Sequence, residues 1–182
     1  MNSLLACCLD KKQFERLPTV VRRAHEGSVL LRGEAKVERG GFFAQLICHL
    51  LRLPPARERC LLVVKGEHSP GKMRWNRQFD DHVMNSKFYR RDECLVEQLG
   101  PLRLQMRLSV ENEVLLYRLR KVSCFGVPIP RVLSPLVMAR EREEGGFYRF
   151  DVSVSLPVIG LLVSYSGNLR VISEPTTEEV TQ

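Results

Sequence analysis

Two periods of hydrophobic and polar positions divide the chain. In FFAQLICHLL, residues 42–51, Phe42, Phe43, Leu46, Ile47, Leu50 and Leu51 recur at helical spacing, with Gln45, His49 and Arg52 opposite. This predicts a helix of about three turns. Gly40-Gly41 lead into it and Pro54-Pro55 end it. A shorter helix is expected from Leu17-Pro18 to Gly27, with His25 in its last turn. From Cys60 the period changes to two and turn residues recur at short intervals. Strands are expected near 60–67, 72–79, 82–90, 93–99, 102–110, 115–122, 136–143, 147–156 and 161–171. One more, near 28–38, precedes the helix.

Turn positions decide which side chains share a face. A two-residue turn at Asp80-Asp81 sets Phe79 opposite His82, Arg77 opposite Met84 and Trp75 opposite Ser86. A turn at Gly100-Pro101 sets Leu99 opposite Leu102, Glu97 opposite Leu104 and Leu95 opposite Met106. The stripe Leu102, Leu104, Met106, Leu108, Val110 must be buried, so Glu97 points inward with it. A four-residue turn from Pro157 to Gly160 pairs Leu156 with Leu161, Val154 with Val163, Val152 with Tyr165 and Phe150 with Gly167. The same parity brings Glu141 inward near Phe150, toward the rim. Arg77, His82, Ser86, Glu97 and Glu141 therefore share an inner face with Trp75 and Tyr165. Unpaired charge in a dry core is heavily penalised, so these groups either pair with one another or line a wet cavity.

The fold class expected is mainly β (α+β): an antiparallel β-barrel or curved half-barrel of about ten strands with an N-terminal helical segment. One strand, a helix and then a long meander is the order of elements in calycin-like, lipid-binding barrels. Residues 1–16 are expected to be a short disordered or docking extension, 17–172 one domain and 173–182 a tail. A length of 182 residues with 44% hydrophobic residues fits a single core. The net charge of +7 comes from scattered Lys and Arg, without the basic helix or interleaved aromatics that nucleic acid requires. No stretch is long enough for a membrane span. Leu4-Leu5-Ala6-Cys7 imitates a lipoprotein cleavage site but has no basic segment before it. The six cysteines lack paired spacing and point to reduced thiols and a cytoplasmic location.

The stretches LPTVVRRAHEG, GEAKVERGG, RLPPA, RWNRQF, EQLGPL, VPIP and FYRFDVSVSLPVIGLLVSYSGNL span roughly residues 17 to 170. In their order the chain resembles an uncharacterised bacterial domain family, found alone or fused behind saccharopine-dehydrogenase-like reductase domains. The resemblance implies a self-contained module that works beside a reductase-like protein. It carries no catalytic residue onto this chain.

The remaining chemistry is bounded by what the spacing excludes. Glu67-His68 and Asp80-Asp81-His82 fall at opposite ends of one hairpin, ~26 Å apart, so one metal ion cannot collect both. No nucleophile elbow, zinc helix, phosphate loop or dinucleotide fingerprint is present, and no cofactor is expected. Arg103, Arg107, Arg118 and Arg120 fall on one outer face, read as solvated rather than anion-binding. His25 is read as favouring its helix's negative end. The leading expectation is an internal pocket for a partly apolar, anionic small molecule, lipid-like or carboxylate-bearing. Arg77, Trp75, His82, Ser86, Glu97, Glu141 and Tyr165 would line it. The alternatives are an enzyme using His82 with Glu97 or Glu141 as acid and base, and an interaction module for a reductase-like partner.

Overall fold

A computed structural model describes residues 3–69 and 71–173. Ten antiparallel strands run up and down around a closed barrel. They are β1 (Ser28–Arg39), β2 (Arg57–Ser69), β3 (Lys72–Phe79), β4 (His82–Arg91), β5 (Cys94–Leu99), β6 (Leu102–Glu111), β7 (Val114–Cys124), β9 (Leu136–Glu144), β10 (Phe147–Leu156) and β11 (Gly160–Ser173). The two-residue β8 (Val127–Pro128) folds back on β7. Closure comes from β6 pairing with β7, and from β11 pairing with β1.

The barrel expected from periodicity is thus the one observed, with most of its registers. Arg77 faces Met84, Trp75 faces Ser86, Glu97 faces Leu104 and Phe150 faces Gly167. One pairing differs: a bulge after Val154 sets Leu156 opposite Gly160 and Ser155 opposite Leu161. Gly167 lies where β11 crosses close to β1, and a Cβ there would stand 2.4 Å from the Glu34 carbonyl oxygen. The seam between β7 and β9 is short, running only from Leu115–Glu141 to Arg118–Met138. Above it the two strands part.

Strand direction separates the two ends. The helices α1 (Leu4–Cys8), α2 (Lys11–Glu15) and α3 (Thr19–Ala24) precede the start of β1 and pack over the end where β4 meets β5. Helices this short gain little from their own hydrogen bonds. Burial holds them: Leu4, Leu5, Leu9, Phe14, Leu17 and Val21 all join the core. Gln13 Oε1 accepts the Val110 N–H at 3.1 Å, and Asp10 caps α2 by accepting the Gln13 N–H at 2.8 Å. Of the two expectations for this extension, disordered or docking, residues 3–16 fit the second: they pack on the barrel through Leu4, Leu5, Leu9 and Phe14.

At the opposite end α4 (Phe42–Leu50) bridges β1 and β2. Its large apolar side chains face away from the barrel, against the usual arrangement of an amphipathic helix. Ala44 and Cys48 are fully buried against the barrel, while Phe42, Phe43, Leu46 and Leu50 face outward. Small side chains occupy the contact because the chain lies tight on β11: Cys48 Sγ reaches the Leu162 carbonyl at 3.4 Å. A Cβ on Gly40 would meet the Leu161 carbonyl oxygen at 1.8 Å.

Candidate functional site

Period-two alternation on β3, β4 and β5 delivers one polar cluster to the barrel interior. The Arg77 guanidinium donates to Ser86 Oγ at 2.7 Å and to Glu97 Oε1 at 3.4 Å from both terminal nitrogens. Ser86 donates to the same carboxylate oxygen at 2.6 Å. Trp75 and Phe88 flank the guanidinium, with ring centroids 5.1 and 5.7 Å from it. Burial works against the Arg77 charge, but Glu97 offsets it and the pKa is raised.

A second cluster stands at the closed end. Parity on β9 turns Glu141 inward opposite Phe150, as expected, yet it is only 8% exposed and far from an open rim. The reason is the α1–α3 cap, which seals that end and brings His25, 1% exposed, over the carboxylate. His25 Nε2 donates to Glu141 Oε2 at 2.6 Å and Tyr117 donates to Oε1 at 2.8 Å. Burial by itself would raise the Glu141 pKa, but the attraction of His25 and these two hydrogen bonds hold it below the usual carboxylate range. Burial and the nearby carboxylate push the Tyr117 and Tyr148 phenols well above theirs. Burial likewise takes Tyr165 up to about 12, with Arg77 opposing.

His25 is held from the other side by aromatic packing. Its ring stacks on Trp75 at 5.2 Å between centroids, and Trp75 Nε1 donates to His68 Nε2 at 3.3 Å. Gly66, opposite Trp75 across β2 and β3, leaves the space that the indole and Val29 fill. Burial first, and then His25, lower the His68 pKa to about 4. The neutral ring then has consistent roles, with Nδ1–H donating to the Gly27 carbonyl at 2.8 Å and Nε2 accepting from Trp75.

Between the two clusters lies a cavity of about 370 Å³. Its walls are mostly aliphatic and aromatic, and at the α4 end it is bordered by Ile47, Leu51, Leu133 and Pro135. Arg77, Trp75, Glu97, Glu141 and Tyr165 line it; Ser86 stands behind Arg77 and Glu97. His82 does not join them. It pairs with Phe79 at the top of β4, its Nε2 lies 3.1 Å from the Arg52 carbonyl, and Glu97 pairs six residues further along, ~20 Å away. Sequence reasoning missed His25, Tyr117 and Tyr148. His25 Nδ1 is buried without a hydrogen-bond partner among the described residues.

Outside the barrel, Arg107 does oppose Arg118, and each has an acidic neighbour, Glu93 at 3.8 Å and Glu111 at 2.6 Å. Asp80 serves the β3–β4 turn by accepting the Leu61 N–H at 2.9 Å. No group of His, Cys, Asp or Glu able to hold a metal ion occurs among the described residues, and no helix there is long and apolar enough to cross a membrane. All six cysteines are unpaired.

Fold and interior together define a closed antiparallel β-barrel with a partly polar internal cavity. A family model described as a domain of unknown function (DUF4166) matches residues 17–169, and the chain belongs to that family. No curated protein and no solved structure matches the chain.

Proposed function

We propose that the barrel is a binding module for a small, partly apolar molecule, held with its polar end toward the closed end and its apolar part toward α4. The observation carrying this reading is a cavity of about 370 Å³ with mostly apolar walls and the Arg77–Glu97 pair set into them. A cavity of this size, apolar apart from a few convergent polar groups, suits a small organic molecule.

Arg77 makes the ligand a carboxylate-bearing one. Its contacts to Ser86 Oγ and one Glu97 oxygen leave guanidinium donors unused. A planar fork of that kind suits a carboxylate. Glu97 competes for the same donors, so neutralising it tightens binding. Trp75 is the single tryptophan and lines the cavity, so its emission reports occupancy. Titration with medium-chain acids and the matching alcohols should change Trp75 fluorescence at lower concentration for the acids. Arg77→Met should abolish that preference and Glu97→Gln should widen it. An emission unmoved by every member of the series contradicts the reading.

A second reading, an enzyme, is favoured by the buried His25–Glu141 contact at 2.6 Å beside two phenols. In it His25 replaces His82 as the partner of Glu141, and a pH–activity profile over a metabolite panel, lost in His25→Gln, tests it. A reductase-like protein enters either reading as donor or acceptor of the bound molecule. The unpaired thiols support a reducing, cytoplasmic setting.

A further inference from the structure

The open end presents an apolar surface that the fold leaves uncovered. Because α4 meets the barrel through Ala44 and Cys48, Phe42 and Phe43 are 77% and 68% exposed, with Leu46 and Leu50 beside them. At the same end Phe125 is 85% exposed, and Val132 and Leu133 project from the segment before β9. Isolated apolar residues on a surface need no explanation, whereas these surround the mouth of one cavity. Leu50 and Leu133 belong to both the surface and the cavity border.

Charge at this end has one sign in excess. Arg52, Arg57, Arg103, Lys121 and Arg131 are exposed there and form no ion pair among the described residues. Of the acids nearby, Glu38 and Glu58 are both held by Lys36, at 2.8 and 3.1 Å, Asp80 is engaged in its turn, and Asp81 is exposed without an ion pair among the described residues, one acid against five cations. The closed end instead carries exposed charges of both signs, with Asp10, Glu15, Glu67, Asp92 and Glu93 among Lys11, Lys12, Arg16, Lys72 and Arg91.

We propose that the open end docks on an anionic lipid bilayer. Helix α4 lies in the interface with Phe42 and Phe43 among the acyl chains, and the arginines and Lys121 reach the headgroups. A second copy of the chain fits less well, because a self-complementary contact would set the same unpaired cations against one another. The docked mouth opens onto lipid, so an apolar ligand can enter without crossing water. That consequence rests on the internal-pocket reading; the docking itself does not.

Co-sedimentation of the full chain with phosphatidylcholine vesicles, with and without phosphatidylglycerol, tests this. Binding is expected to the anionic vesicles and to weaken as salt rises. F42S/F43S should lower the partition by about tenfold or more, since two interfacial aromatics are lost. R57E/R131E should weaken binding to anionic vesicles with both aromatics intact. Neither pair touches Trp75, so the response of that residue to apolar acids should persist in both. Vesicle binding that needs Phe42 and Phe43 while Trp75 answers to no ligand supports docking and defeats the pocket reading. Absence of binding to anionic vesicles at low salt overturns the proposal. So does binding indifferent to F42S/F43S, or a dimer that depends on those phenylalanines in a chain that ignores vesicles.

Discussion

The two ends of the barrel use short helices in opposite ways. At the closed end α1, α2 and α3 turn Leu4, Leu5, Phe14 and Val21 into the core, and at the open end α4 turns Phe42, Phe43 and Leu50 away from it. The difference follows from the depth available beneath each helix. Over the closed end there is a barrel's width to fill, and large side chains fill it. Beside β11 the backbones come too close for anything larger than Ala44 or Cys48. An apolar stripe therefore identifies a helix without deciding which way the stripe faces. One end is built for stability, and the other leaves its apolar residues for an outside partner.

Substitutions should separate the ends by magnitude. Glu141→Ala removes the acceptor of both His25 and Tyr117, and denaturant unfolding should show a loss of about 3–5 kcal/mol. Leu5→Ala, in the cap, should cost about 2–5 kcal/mol. Arg77→Met should cost less, about 1–2 kcal/mol, because Glu97 keeps the Ser86 hydroxyl and faces a cavity instead of a sealed core. Phe43→Ser should stay within about 0.5 kcal/mol. A Phe43→Ser loss as large as that of Leu5→Ala would break the comparison.

Acid should act on the closed end in two windows. His68 has a folded pKa of about 4 against an ordinary 6.5, so the unfolded chain takes up its proton first. Stability is complete above pH 6.5 and declines as pH falls toward 4. Glu141 is held below its ordinary 4.5, so its contribution is present above that pH and lost below it. Melting temperature followed against pH should show both declines, and His68→Gln should flatten only the upper one. A single decline unaltered by His68→Gln would argue against a neutral His68 in the folded protein.

The barrel was legible because period-two alternation and turn residues act locally. Once Asp80-Asp81 and Gly100-Pro101 are read as tight turns, Arg77, Ser86 and Glu97 must share a face, and they do meet. The bulge at Val154–Ser155 was hidden because alternation alone favours the regular pairing of Leu156 with Leu161, and the bulge sets Ser155 opposite Leu161 instead. His25 was hidden for a different reason: its partner Glu141 is 116 residues away, and nothing beside a histidine at a helix end records so distant a contact. A signal did exist in Glu141 itself. Inward and charged, it needed a partner at the end of the barrel where the α3–β1 junction also lies. The six-residue separation of His82 from the Glu97 level could have been counted on β4 in the same way.

The most direct measurement is native mass spectrometry of the protein as purified, with no ligand added, followed by denaturing release. The pocket reading predicts a folded species heavier than the chain by one small organic molecule, which is released on unfolding and identified as an apolar acid. The added mass should be diminished in Arg77→Met and retained in Phe43→Ser. A folded chain that carries only its own mass, and whose Trp75 emission no apolar acid shifts, would contradict a ligand-binding interior and make the cavity a packing void.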